Sequence, residues 1–514
     1  MLTASALLVK LIGLLYRIPM LSQLGTEGMG YFNTAYELYA LFCVIATAGL
    51  PVAMSVLISS SESHPQKGWE PRRTFRVALK AFAIVGTAGT LLLYGCSEVL
   101  AALFKNSGSA HGMRMIAPTV LLICISSAFR GYFQGKRSMT PTAVSQVIEA
   151  MGKLILGLIF ATVAKRRGCD LPTTAAYAVL GLTVGTGISV VYLWLHQKIS
   201  EGTHTPIPKL CKDASADRAV LKRLLMTAVP ITLGAAVMSI TKVVDLALIL
   251  RRLQWAGLTE AQANNLYGCY STLVLPLFHM LPTLATSVSL PTVPALAAAL
   301  GEHTEEGTAR AQKIILSALR LTLIIAIPAA IGLAVFSEDV LALLFGARPT
   351  AVQTATPWLS CIALSVPMSC LITVSSAILQ GARHAAVPVF SLLMGACVKA
   401  CLAYVLLGHP SVGMMAAPAS TLVCDGVIVV MNFAFIAAKM PGLLPSGKDF
   451  FKLIAFPLAS GGGAVALVWF SRQWLGWTLV TPLHTLGSVA AVIGLYGAAV
   501  LLYMGKLKAR KQGV

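Results

Sequence analysis

MRMIAPTVLLICISSAFRGYFQ, residues 113–134, runs through GKRSMT (135–140) into PTAVSQVIEAMGKLILGLIFATV, residues 141–163. Two apolar runs of more than twenty residues are joined by a six-residue connection holding Lys136 and Arg137. A helix needs about 20 mostly apolar residues to cross the hydrocarbon core of a bilayer. Each run is therefore long enough to span, and the short basic turn makes them antiparallel neighbours.

The same reading extends outward in both directions. Further spans fall at 3–22, 31–59, 75–104, 173–195, 222–250, 267–298, 312–336, 354–379, 386–407, 413–438, 450–470 and 483–504. The fold class is all-α: a polytopic membrane protein of about fourteen transmembrane helices. Composition agrees, with 57% hydrophobic residues, 11% charged residues and a mean hydropathy of +0.79. Soluble domains are about 25% charged, and a chain this apolar has too little polar sequence to cover its outside. A membrane barrel would show alternating ten-residue segments instead. Pro276, Pro282, Pro291 and Pro294 predict a bent or broken eighth span.

Cations concentrate in the even-numbered connections. These hold Lys67, Arg72, Arg73 and Arg76; Lys136 and Arg137; Lys198, Lys209, Lys212, Arg218, Lys222 and Arg223; Arg310 and Lys313; Arg383; and Lys439, Lys448 and Lys452. The tail adds Lys506, Lys508, Arg510 and Lys511. Such an excess marks the cytoplasmic side, so both termini are expected in the cytoplasm, the chain being multi-pass in the plasma membrane. The connections 164–172 and 251–264 run against the rule, as do Lys105, Arg348 and Arg472. The first span lacks the basic region and the small-residue site of a cleaved signal peptide.

The net charge of +20 does not point to nucleic acid. Its cations sit in short connections, where they meet anionic lipid headgroups, and form no basic stripe interleaved with aromatics. The 11 cysteines include no CxxC pair, and most lie inside spans as small apolar residues. Cys397 and Cys401 are one helical turn apart, a weak metal signal, and no metal or cofactor is expected. No phosphate-loop, HExxH or GxSxG motif occurs. The longest polar stretch, 196–221, is too short for an ATPase domain. An enzyme is not expected; the remaining classes are a secondary carrier, a flippase and a channel.

An internal repeat narrows them. Gln134-Gly135-Lys136-Arg137 recurs as Gln380-Gly381-Ala382-Arg383, and Lys153 recurs as Lys399 at the same offset of 246 residues. Six spans precede 196–221 and six follow it, so the copies keep one orientation. This predicts two six-helix lobes in parallel pseudo-repeat, at 1–200 and 217–440, with a C-terminal helix pair at 450–505. Carriers built this way place substrate at the repeat interface.

Charges inside the spans are the candidate site. Each costs about 2.5–3.5 kcal/mol at the bilayer centre, so they must face one another or water. Arg17 and Glu37 share a depth from the same side and are placed to pair. Glu149 and Lys153, four apart, share a helical face, as do Lys242 and Asp245, three apart. Lys399 and Asp425 sit near mid-depth of consecutive spans, with Arg130 in a third. One reading makes these structural ion pairs. The other makes them a partly cationic chamber between the lobes, fit for a phosphate-bearing group. On that reading Arg17, Glu37, Lys153, Lys242, Asp245 and Lys399 bind substrate. Glu149, Asp425 and His279 are the candidates for coupling to H⁺ or Na⁺.

Leu15-Tyr16-Arg17-Ile18-Pro19, Leu24-Gly25-Thr26-Glu27-Gly28-Met29-Gly30-Tyr31 and Ala46-Thr47-Ala48-Gly49-Leu50-Pro51-Val52-Ala53 resemble the start of the stage V sporulation protein B group. That group stands with the lipid II flippases in the multidrug/oligosaccharidyl-lipid/polysaccharide exporter superfamily. The resemblance runs the whole length and implies fourteen helices. It implies export of undecaprenyl-pyrophosphate-linked glycan, lipid II or a polysaccharide unit, by alternating access without ATP hydrolysis. It also implies that the last two helices help hold the polyprenyl tail. Such flippases carry cavity arginines in the first, second and eighth helices. Arg17 fits the first; the second offers Glu37 and Ser55, and the eighth only His279. The alternatives are a multidrug/cation antiporter of the same superfamily, which favours an acidic cavity, and a non-transporting scaffold of a sporulation or envelope complex.

Overall fold

The computed structural model describes residues 2–63, 71–201, 214–302, 304–346, 348–409, 411–445, 447–474 and 482–511. Lys67, Lys209 and Lys212 of the basic connections lie outside the described residues. Among the described residues the chain is helical throughout, with no strand.

The chain divides into two compact units, Met1–Gly268 and Cys269–Val514. The first holds α1 (Leu2–Thr47), α2 (Leu50–Ser63), α3 (Pro71–Gly95), α4 (Ser97–Leu103), α5 (Ser109–Gly135), α6 (Thr140–Arg166), α7 (Leu171–Glu201), α8 (Ala214–Trp255) and nearly all of α9 (Glu260–Cys269). The second opens on a π turn, Tyr270–Val274. It continues through α10 (Leu275–Gly301), α11 (Glu305–Val335), α12 (Ser337–Phe345), α13 (Pro349–Ala363), α14 (Val366–Gly381), α15 (Ala386–Leu406), α16 (Ala416–Lys439), α17 (Gly447–Trp474) and α18 (Pro482–Lys511). This partition puts α8 in the first unit, whereas the sequence repeat begins its second copy at 217.

Among the described residues twelve helices are long and apolar enough to cross a membrane. The pair Pro349–Ala363 and Val366–Gly381, bent by 43°, makes a thirteenth. The first candidate, Leu11–Ser59, is 49 residues long. At 1.5 Å per residue it would run about 74 Å as one helix, more than twice the hydrocarbon thickness. It is two crossings. Gly25, at φ 68° and ψ 179°, breaks α1 in a region that only glycine enters readily. The two limbs of α1 fold back there, bringing the Tyr16 and Phe32 rings within 5.9 Å, and counting them separately adds one crossing to the thirteen candidates among the described residues.

The repeat is written in the backbone as well as in the sequence. Arg137 (φ 56°) and Arg383 (φ 64°) are both left-handed. Each closes the same helix C-cap: Arg137 N–H donates to Gln134 O at 3.0 Å and Ser138 N–H to Phe133 O at 2.9 Å. Arg383 N–H donates to Gln380 O at 3.1 Å and His384 N–H to Leu379 O at 2.8 Å. Ser145 and Ser391, also 246 residues apart, are both buried.

Three of the cations in the connections that run against the charge rule have local partners. Arg472 makes a bidentate pair with Asp339, both bonds 2.9 Å. The Lys165 ammonium donates to Gln23 O at 3.2 Å, and the Arg252 guanidinium lies 4.2 Å from the Trp255 ring.

Candidate functional site

The site in the first unit is set by close helix packing. Gly181 and Gly185 of α7 meet Gly152 and Gly157 of α6 so closely that a Cβ at Gly185 would lie 2.9 Å from Gly152 Cα. Small residues let helix backbones touch in a bilayer. This seam fixes α6 and turns the next residue, Lys153, toward α1.

There Lys153 meets aromatic rings. Its Nζ lies 4.0 Å from the centroid of Tyr36, 5.1 Å from that of Tyr16 and 5.8 Å from that of Phe32. The break at Gly25 builds this box: Tyr16 comes from one limb of α1, and Phe32 and Tyr36 from the other. The Tyr16 and Phe32 rings stand 5.9 Å apart, Phe32 and Tyr36 6.2 Å apart. Tyr16 is fully buried, and its hydroxyl has no hydrogen-bond partner among the described residues.

Glu149, one turn before Lys153, pairs with Arg130 instead, Nη2 to Oε2 at 2.9 Å. Arg130 Nε donates to Ser145 Oγ at 3.0 Å, and that hydroxyl donates to Thr142 O at 2.8 Å. Both ends of the pair are largely withdrawn from solvent, at 10% and 19% side-chain exposure. Arg17, Glu37 and Glu149 all act electrostatically on Lys153, and Glu37 on Arg17. Among the described residues neither Glu37 nor Lys153 closes an ion pair.

The second unit carries its own buried carboxylate. Asp425 on α16, 9% exposed, accepts hydrogen bonds from both Ser365 and Ser369. Ser365 lies at the bend between α13 and α14. Pro367 has no N–H to give the carbonyl of Ala363, as a continuous helix would require. Lys399 of α15, the repeat mate of Lys153, acts electrostatically on Asp425. No cluster of three or more His, Cys, Asp or Glu suited to a metal ion occurs among the described residues.

The model of the polysaccharide biosynthesis protein family matches residues 1–299, more than half of the chain. The chain belongs to that family. A second model, MatE, matches residues 271–405. Stage V sporulation protein B of Bacillus subtilis (strain 168) is 23% identical over 509 residues, covering 98% of this chain and 94% of the relative. The lipid II flippase MurJ of the same organism is 25% identical over 464 residues, covering 86% and 80%. A solved MurJ structure in the inward closed conformation superposes at a TM-score of 0.71 with 15% identity, covering 98% of this chain and 99% of that one. The fold is thus that of the exporter superfamily, and the chain is a multi-pass membrane protein.

Of the residues singled out from sequence, the structure brings Arg17, Glu37, Glu149 and Lys153 into one electrostatic cluster. It brings Lys399 and Asp425 into a second. Lys242 is exposed and Asp245 half-buried, three residues apart on α8, and neither is among the charges acting on Lys153. His279 is exposed on α10, its ring 5.1 Å from that of Phe278. Sequence reading gave Arg130 no role and missed Tyr16, Phe32 and Tyr36 entirely. A signal existed: Phe32, Tyr36 and Tyr39 recur at helical spacing, and Tyr16 adjoins Arg17.

Proposed function

We propose that this protein is a flippase that carries an undecaprenyl-pyrophosphate-linked glycan across the plasma membrane by alternating access, without hydrolysing ATP. One observation supports this above the rest. The first-unit cluster holds Arg17, Arg130 and Lys153 against Glu37 and Glu149, and Lys153 rests on rings that do not neutralise it. It holds three basic groups to two carboxylates. A low-dielectric site with a surplus cation attracts a pyrophosphate and repels a free cation.

On this reading Arg17 and Lys153 receive the pyrophosphate, while Arg130 holds Glu149 away from the ammonium. The polyprenyl tail stays in lipid beside α17 and α18. Both termini lie in the cytoplasm, where the substrate is loaded. Asp425, with its two serine hydroxyls and the carbonyl freed by Pro367, is where a coupling H⁺ or Na⁺ binds. Half-helix ends with unwound carbonyls commonly serve ions in carriers.

The test is rescue of a cell depleted of its own lipid II flippase, with accumulated precursor measured. The wild-type chain lowers precursor, and Arg17→Ala inserts normally but does not. No rescue by a chain shown to be in the membrane overturns the reading for lipid II. The MatE match over 271–405 favours a second reading, a cation antiporter. Overexpression that confers drug resistance and leaves precursor levels unchanged would select it.

A further inference from the structure

Three rings within 6 Å of a single ammonium form a recognised binding geometry for alkylammonium ions. In this protein the ammonium belongs to the chain itself. We propose that Tyr16, Phe32 and Tyr36 form an organic-ammonium binding site, that Lys153 fills it as a tethered ligand, and that Lys153 thereby sets specificity against organic cations.

Each part of the site is on hand. The rings lie 5.1, 5.8 and 4.0 Å from Nζ, with Tyr36 nearest. They pack on one another, Phe32 stacked on Tyr36 at 6.2 Å and Tyr16 tilted against Phe32 at 5.9 Å, with Tyr39 tilted against Tyr36 at 6.0 Å. Tyr16 and Phe32 are buried to 2% and 3% exposure, so a cation on their faces sheds much of its water. Desolvation is what strengthens cation–π attraction. Glu37 and Glu149 add an attractive field for any cation placed there, and Arg17 opposes it.

Nothing in the ring geometry distinguishes a tethered ammonium from a free one. What excludes the free ion is occupancy, together with the positive charge that Lys153 contributes. Its four terminal heavy atoms have nearly the bulk of tetramethylammonium. Truncating them clears the rings, removes the competing amine and leaves the carboxylates of Glu37 and Glu149 with the guanidiniums of Arg17 and Arg130. The same side chain that receives a phosphate in the proposed function here bars a cation, and the two roles are read separately. Binding of an ammonium probe does not require export.

The experiment is calorimetric titration of the purified full-length chain in lipid nanodiscs with tetramethylammonium chloride, against sodium chloride at equal ionic strength. Thermal melts establish that each variant is folded. Wild type shows no saturable binding, and Lys153→Ala binds at least tenfold more tightly. Adding Tyr36→Leu to Lys153→Ala abolishes the gain. Lys153→Met, which refills the box with an uncharged arm, does not bind. Lys153→Ser replaces the alanine variant should that fold poorly. A folded Lys153→Ala or Lys153→Ser with no binding overturns the proposal. So does wild type binding as tightly as the variant, Lys153→Met binding like Lys153→Ala, or binding that survives loss of Tyr36. Loss of precursor export with unchanged ammonium binding would bear on the flippase reading and leave this one in place.

Discussion

Lys153 Nζ lies 4.0 Å from the centre of the Tyr36 ring, while the carboxylate one turn away on the same helix, Glu149, is held by Arg130 at 2.9 Å. The ring attracts the ammonium through its quadrupole and leaves the charge intact. Had Glu149 taken Lys153, the pair would have been neutral and Arg130 would have needed another partner. The arrangement leaves the Lys153 amine on ring faces with no carboxylate bonded to it among the described residues, in a span where unpaired charge is costly.

That charge predicts an effect on transport. Lys153→Gln is expected to lower export of the lipid-linked precursor about tenfold, the loss of roughly 1.4 kcal/mol, at the lower edge of one charge-assisted hydrogen bond. Lys153→Arg keeps the charge and should retain most activity. The check is precursor accumulation in flippase-depleted cells at matched membrane levels of each variant. Equal export by Lys153→Gln would remove the ammonium from phosphate binding.

The Arg130–Glu149 pair predicts non-additivity. Arg130→Met leaves a carboxylate buried without its partner, at a cost of roughly 3–5 kcal/mol. Glu149→Gln leaves the guanidinium with Ser145 alone and should also destabilise. The double variant should be more stable than the sum of the two single losses implies, because no uncompensated charge is left. Thermal unfolding of the four proteins in one detergent measures the coupling, and strictly additive losses would contradict it.

The sequence made the number of crossings legible because each crossing is a local property, a run of apolar residues with a fixed minimum length. It also made a repeated cap legible, since Gln134-Gly135 and Gln380-Gly381 stand at two helix ends where Arg137 and Arg383 are both left-handed. Pairing was harder to read. Glu149 and Lys153 share a face in the favourable order, yet Arg130, from the preceding helix, takes the carboxylate. The outcome turned on the α6–α7 glycine seam and on the fold-back at Gly25, which brings Tyr16 to Phe32. Neither is visible in helical spacing alone. Lys242 and Asp245 were chosen by depth and spacing, which say nothing of which way a helix faces; Lys242 is exposed and Asp245 half-buried.

The bidentate Arg472–Asp339 pair predicts how the C-terminal hairpin is anchored. Its side chains are 12% and 11% exposed. The Arg472 guanidinium also stands 5.8 Å from the Phe336 ring, and Tyr496 of α18 donates to Ile324 O at 2.6 Å. Arg472→Ala should loosen α17 from α12 and raise protease or cysteine-labelling access near Trp474. The exchange Arg472→Asp with Asp339→Arg should restore protection in large part. A hairpin equally protected in Arg472→Ala would mean that apolar contacts alone hold it.

α9 is seated on the first unit by a buried amide pair, and that seat is the most sterically exacting contact described. Asn106 Nδ2 donates to Asn264 Oδ1 at 2.9 Å and to Thr34 Oγ1 at 2.9 Å, and Asn264 Nδ2 donates back to Asn106 Oδ1 at 2.8 Å. All three residues are fully buried. Asn264→Leu strands the Asn106 amide and should cost roughly 1–3 kcal/mol. Asn264→Asp should cost more, since it sets a carboxylate oxygen against Asn106 Oδ1 where a donor stood. The backbone allows as little change as the side chains. A Cβ on Gly30 would lie 2.4 Å from Asn264 O, and one on Gly268 would lie 1.9 Å from Thr26 O. Gly30→Ala is therefore expected to lift α9 off α1 and expose the asparagine pair to water. Hydrogen exchange at 260–268 reads both kinds of change, and protection unchanged from wild type in Gly30→Ala would show that α9 is not held by this contact.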